Sequence, residues 1–196
     1  DIPQANSGVL PSRQWKREAL GLPWYPGETL NSSIGQGFTE VTPLQLATAT
    51  MLIANKGKWR QPAMLKRIGV NAPDLKRSTY LPDIQLKNPD DWNFIANAMA
   101  SVVHRVGGYR DYGTANAITQ KNPLAYRMAG KSGTAQVVGM AADFDNNAEV
   151  PEQFRDHALF ISFAPVDDPK IAVAVFVEHG EGGSGVAGPI ARIILD

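Results

Sequence analysis

The chain contains no cysteine in 196 residues, which excludes disulfides, thiolate metal sites and a cysteine nucleophile. It has no excess of charge: 19 Lys and Arg stand against 19 Asp and Glu. The clustered basic surplus that marks a nucleic-acid binder is therefore missing, and no nucleic-acid partner is expected. Long apolar runs are missing too. The longest, Ile171 to Val177, falls far short of the ~20 residues that a membrane-spanning helix takes. Residues 1–20 are mixed polar, with Pro3 and Pro11, and do not read as a signal peptide. A targeting or anchoring element is expected outside this chain, and a first residue of Asp points to a fragment. No two of the three histidines are four residues apart and no His-Glu-x-x-His occurs, so a zinc hydrolase is a poor reading and no cofactor is expected. No serine has a lysine three residues later.

What is present is an ordinary globular composition, 43% hydrophobic and 19% charged, enough for one domain with a substantial core. Residues 1–41 are rich in Gly, Pro, Ser and Asn, with Trp15, Trp24 and Tyr25 interspersed. They read as an ordered, irregular segment. Thr42-Pro43 opens a helix with a hydroxyl cap and a first-turn proline. Its apolar face carries Leu44, Ala47 and Met51, and Asn55-Lys56-Gly57 stops it. A strand-like stretch follows around residues 58–69, then a polar excursion over residues 73–89. Asp90 or Asp91 caps a second helix with Ile95, Ala98, Met99, Val102 and Val106 at helical spacing, ended by Gly107-Gly108. Residues 109–122 read as loop, and residues 143–153 as an acidic connection. Residues 157–164 and 171–178 are β-rich runs joined by Pro165-Val-Asp-Asp-Pro169, a hairpin signal. Residues 180–188 read as a glycine-rich turn. Ala187, Ile190, Ala191 and Ile194 then mark a short C-terminal helix. Helices followed by consecutive strands predict an α+β fold, an antiparallel sheet with helices packed on it. Three strands make a thin sheet, with one edge expected to lack a partner.

The segment richest in chemistry is Lys131-Ser132-Gly133-Thr134, inside a strand-like run from Tyr126 to Val138. Acyl transfer needs donors for a developing oxyanion and a counter-charge for a substrate carboxylate. Lys131 supplies charge, Ser132 and Thr134 supply hydroxyls, and Gly133 permits close approach. An edge strand adds main-chain hydrogen bonds to an extended peptide. Strict alternation sends Lys131 to the face opposite Ser132 and Thr134, so one cleft receives all three only at a twisted or edge strand. The competing reading is a surface strand of small residues.

The histidines read as supports. His104 stands late on the second helix, where a cation suits the negative helix end. His157 opens a strand beside Arg155 and Asp156, and His179 lies in a turn. Gly35-Gln36-Gly37 lacks the rest of a phosphate loop and reads as a structural turn against the cleft. Gly183-Ser184-Gly185 does not make Gly-x-Ser-x-Gly and reads as a flexible turn.

Six segments occur in a recognisable order: Ile34-Gly-Gln-Gly37, Thr42-Pro-Leu-Gln-Leu-Ala47, Ile53-Ala-Asn-Lys-Gly57, Lys131-Ser-Gly-Thr-Ala-Gln136, Arg155-Asp-His157 and Phe163-Ala-Pro165. Together they resemble the C-terminal part of the transpeptidase domain of a class B penicillin-binding protein, of the penicillin-binding protein 2 type. The resemblance implies the penicillin-binding and serine β-lactamase-like fold, with a five-stranded antiparallel sheet flanked by helices. Residues 1–196 would form the C-terminal part of one domain, with 1–125 mainly helical and irregular and 126–196 holding the last three strands and a C-terminal helix. It further implies three motifs, Ser-x-x-Lys, Ser-x-Asn and Lys-[Ser/Thr]-Gly. Only the third is here, as Lys131-Ser132-Gly133, so the nucleophile and its lysine are expected upstream.

The activity implied is that of a peptidoglycan D,D-transpeptidase acting through an acyl-serine. Its catalytic residues in this chain would be Lys131, Ser132, Gly133 and Thr134, and its substrate contacts Ser132, Thr134, Ala135 and Gln136. Implied partners are the D-Ala-D-Ala stem peptide, β-lactam antibiotics, a RodA-type glycosyltransferase and elongation-complex proteins. The implied location is the periplasmic face of the inner membrane. An inert scaffold or β-lactam sensor, and a serine β-lactamase, are the alternatives.

Overall fold

Side-chain caps set the starts of the first three helices. The expected Asp90 or Asp91 cap of the next long helix, residues 91–104, is not made: Asp90 precedes it with no side-chain cap bond. In the computed structural model, which describes residues 6–65, 67–68, 70, 81–107, 112–120, 122–137 and 150–196, Ser12 Oγ accepts from Trp15 N at 3.0 Å and opens α1, Arg13–Leu20. Glu28 Oε2 accepts from Tyr25 N at 2.7 Å at the start of α2, Pro26–Ser33. Thr42 Oγ1 accepts from Gln45 N at 3.1 Å while Gln45 Oε1 accepts from Thr42 N at 2.8 Å. This reciprocal box starts α3, Pro43–Ala54, at the expected residue. Helices α1 and α2 correct the irregular reading of residues 1–41. Their signal is weak because each is only 8 residues long and part of the stabilisation is non-local. Lys16, 2% exposed, pairs with Glu28 and sets its ammonium 4.4 Å from the Tyr25 ring centroid. That contact holds the Glu28 carboxyl below the usual carboxylate range.

Helix α4, Asp91–His104, buries Trp92, Met99, Ala100 and Val103. Ala98 is exposed, and Val106 lies beyond the helix in a bridge to Tyr112. The buried stripe is thus rotated from the expected one, because α4 lies along a strand edge and feeds two separate apolar clusters. Arg105 turns extended (φ −67°, ψ 121°) and ends the helix before Gly107. Residues 109–122 include a short helix, α5, Ala117–Gln120. No strand forms among the described residues of 58–69, where Trp59 N donates instead to Asp83 Oδ1 at 2.7 Å. A lone extended run needs a neighbour to become a strand. Residues 71–80 and 138–149, which take in parts of the two polar connections and Val138 at the end of the expected strand-like run, lie outside the described residues.

The sheet has three antiparallel strands, β1 Ala129–Ala135, β2 His157–Ala164 and β3 Ile171–Val177, in that order. Ser132 pairs with Phe160 and Phe160 with Val175, while Lys131 pairs with Ile161. Side chains alternate between faces. One face presents Ala158 and Phe160 to Ala187 and Ala191 of the C-terminal segment, where α6 runs Gly188–Leu195. The other presents Ile161, Phe163 and Ala172 to Ile53 and Ala54 of α3 and Met99 of α4. Among the described residues nothing pairs with the outer edge of β3. The α6 face differs in detail: Ala187 and Ala191 are buried, whereas Ile190 and Ile194 are largely exposed.

Candidate active site

Strand β1 is an edge strand with two unlike halves. Its first half lies under α4, where Gly130 stands against the Phe160 ring and Val103. Just before the strand, Met128 N donates to His104 Nε2 at 2.9 Å. The second half faces a cleft of about 1090 Å³. Its walls are residues 131–136, residues 34–37 and 39–41, Pro43 and Leu46 of α3, and residues 182–184.

The sequence-predicted residues all reach this cleft. Lys131 is exposed, and its Nζ donates to the carbonyl of Ser132 at 2.6 Å. Among the described residues no carboxylate lies within ion-pair distance of it. Ser132 and Gly133 are half-buried, Thr134 and Gln136 exposed, Ala135 half-buried. Ser132 and Thr134 share a face with Phe160 and Ala158, whereas Lys131 and Gly133 share the other with Ile161 and Leu159. Alternation does separate the lysine from the hydroxyls. The cleft reaches both because it wraps the open edge, with Leu159 and Phe176 on one side and residues 182–184 on the other.

Two contributors were not read as site residues. Gln36, in the turn placed against the cleft, donates from Nε2 to Thr134 O at 3.1 Å. Gly183 opens a π-helical turn, Gly183–Ala187, that leads into α6, so residues 180–188 are not a free turn. A Cβ on Gly183 would stand 2.4 Å from Leu159 O and 2.5 Å from Gly133 O. Only glycine permits that approach, which seats the turn on the backbone of β1 and β2. No sequence signal distinguishes Gly183 from its neighbouring glycines.

The histidines brace the periphery. His157 Nδ1 accepts from His179 N at 3.0 Å, and the two rings lie 4.9 Å apart. Among the described residues no three His, Asp or Glu side chains are grouped to hold a metal. His104 is not the expected helix-end cation. Its Nε2 is an acceptor, and burial, followed by the nearby Arg127 charge, pushes its pKa down. Above the ordinary histidine range both folded and unfolded chains hold it neutral. As pH falls through that range the unfolded chain gains a proton that the folded one resists, so stability is lost. The urea midpoint is therefore expected to drop between pH 7.5 and 5.5. His104→Gln, which keeps an acceptor, should flatten that slope, and equal slopes would contradict the assignment.

Residues 1–196 match the family profile described as the penicillin binding protein transpeptidase domain. The whole chain aligns with the peptidoglycan D,D-transpeptidase MrdA of Haemophilus influenzae at 35% identity and with that of Acinetobacter baumannii at 38%. It covers 29% and 28% of those proteins, so it spans about three-tenths of the length of the curated relatives it matches. Among solved structures, Pseudomonas aeruginosa PBP2 in complex with WCK 5153 superposes with TM-score 0.81 at 44% identity, over 98% of this chain and 38% of that one. Helicobacter pylori PBP2, solved in complex with MreC, gives TM-score 0.71 at 29% identity, over 97% of this chain and 31% of that one. The three-stranded sheet and its helices are accordingly part of the penicillin-binding transpeptidase fold, and this chain belongs to the penicillin-binding protein transpeptidase domain family.

Proposed function

We propose that this chain is the C-terminal part of a peptidoglycan D,D-transpeptidase domain of the elongation type, and that it supplies the substrate strand to a serine nucleophile carried upstream. The observation that supports this best is the edge strand itself. Lys131, Ser132 and Thr134 line one cleft, and Lys131 has no carboxylate partner among the described residues. In this reading residues 1–125 form the mainly helical wall and residues 126–196 the sheet and closing helix.

The upstream serine Oγ attacks the penultimate D-Ala carbonyl of a stem peptide. An ester bond forms, the peptide C–N bond breaks, and the departing D-Ala amine takes up the serine's proton. The amine of a second stem then displaces the serine and closes the cross-link. Ser132 and Thr134 hydroxyls hold the terminal carboxylate, with Lys131 as its counter-charge. Thr134 N–H turns away from β2 with its carbonyl and donates to the oxyanion, where one donor is worth roughly 10²–10³ in rate. Ala135 and Gln136 extend the contact along the ligand. A β-lactam, which carries an acid group beside a strained amide, enters the same site.

The partner set follows from this reading: stem peptides, β-lactams, a RodA-type glycosyltransferase and elongation-complex proteins such as the MreC seen with the Helicobacter pylori relative. The location is the periplasmic face of the inner membrane. No described helix of the chain is long and apolar enough to cross a membrane, and an anchor in the upstream part is what the family resemblance implies. Fluorescent-penicillin labelling tests the reading. The chain alone should stay unlabelled, and the chain joined to its upstream half should be labelled stoichiometrically. Labelling of the isolated chain would overturn the upstream nucleophile, and labelling of neither would favour an inert scaffold.

A further inference from the structure

The second half of β1 is an open sheet edge, yet its outward carbonyls are not free. Thr134 O accepts from Gln36 Nε2 at 3.1 Å, and Ser132 O accepts from Lys131 Nζ at 2.6 Å. Residues two apart on a strand turn their backbone groups to the same side. Both acceptors that an added strand would use are thus covered by side-chain donors of this chain. An extended ligand that adds to the edge takes its main-chain hydrogen bonds from those same groups.

Gln36 is mounted so that its side chain alone has to move. Its backbone N–H donates to Asn31 O at 2.9 Å, and Gly35 N donates to Ser32 O at 3.1 Å. Gly35 and Gly37 flank it at φ 77° and 81°, a backbone that glycine adopts without strain. Beyond them Glu40 is bridged to Val9, with bonds of 2.8 and 3.0 Å. A carboxamide on a held backbone is exchanged for water by side-chain rotation, with no rearrangement of the segment. Lys131 differs, since its charge belongs to the reaction proposed above.

We propose that Gln36 is a displaceable plug, whose carboxamide occupies Thr134 O until a ligand N–H takes that carbonyl; this rests on the transpeptidase reading. The ligands concerned are extended peptides and β-lactams that carry an acylamino N–H. Gln36 sets how tightly the site takes them by competing for one acceptor. The competition disfavours occupation of the edge by chains that cannot repay the lost bond.

The test uses the full-length protein and compares a penicillin, which has an acylamino N–H, with a carbapenem, which has none. Gln36→Ala should lower the half-saturating penicillin concentration roughly three- to tenfold, the scale of one neutral hydrogen bond. The gain should lie in that concentration and not in the limiting acylation rate, and the carbapenem should show no such gain. Gln36→Glu, which cannot donate to Thr134 O, should follow the alanine variant. A weaker or slower reaction with both ligands would make Gln36 a strut for β1 and overturn the plug. An equal effect on both ligands, or none on either, would also overturn it while leaving the transpeptidase reading intact. Absence of acylation in the unsubstituted protein would overturn that reading, and the plug with it.

Discussion

Replacing Lys131 by alanine in the full-length protein is expected to slow acylation by penicillin by about 10²–10³, the scale for losing one preorganised electrostatic group. The structure makes this a clean substitution. Lys131 is exposed, and among the described residues its side chain donates to the neighbouring Ser132 carbonyl. Truncation removes no core packing and leaves no buried charge unpaired. Melting temperature should therefore stay within a degree or two while the rate collapses. Rapid-mixing measurement of acylation, paired with a melting curve, separates the two effects. An unchanged rate would remove Lys131 from the mechanism, and a large loss of melting temperature would recast it as structural.

The second large effect falls on Phe160. Its ring is fully buried on one face of the central strand, where Phe160 pairs with Ser132 on one side and Val175 on the other. Val103, Ile118, Met128, Ala187 and Ala191 belong to the same cluster, so α4, α5 and α6 all meet there. Gly130 lacks a Cβ where that ring stands: a Cβ on it would lie 2.6 Å from Phe160 Cζ. Phe160→Ala is expected to cost about 3–5 kcal/mol, since backbone held on both sides cannot collapse into the void. At ~2–4 °C per kcal/mol for a domain of this size, the melting temperature should fall by roughly 6–20 °C. Phe160→Leu, which refills most of the volume, should cost much less. A loss below ~1 kcal/mol for alanine would mean that the sheet and α6 are not coupled through this ring.

The two experiments divide the site into layers. Phe160 pairs with Ser132 in the register, so the core that holds the strand and the strand that lines the cleft differ by one residue pair. Loss of the core should move stability first and acylation only through it. Loss of Lys131 should do the reverse.

Much of this was legible because the deciding interactions are local. Thr42 and Gln45 cap α3 from three residues apart, a pattern visible in the letters. The β-rich runs before and after residues 165–169 pair because the connection is short, and the Lys131–Thr134 strand lies beside them. The six ordered segments pointed to the family, and the lack of Ser-x-x-Lys is what sets the expectation of a nucleophile upstream.

The rest was decided by contacts between residues far apart in the chain. Gln36 meets Thr134 across 98 positions, a pairing that neither local periodicity nor propensity encodes. Gly183 is distinguished from its neighbouring glycines only by the backbone that lies against it. The buried stripe of α4 is set by the strand edge it covers, so Val103 is buried and Ala98 is not. His104 became an acceptor because folding brings Met128 N to its ring, 24 positions on, while burial pushes its pKa down. The sequence by itself determined α3, the β2–β3 hairpin, the strand that carries Lys131 to Thr134 and the family, because caps, hairpins and motifs act over a few residues. Only the tertiary structure decided which edge is open, which side chains cover it and which groups are charged, because burial and hydrogen bonding there depend on elements that meet only once the chain has closed.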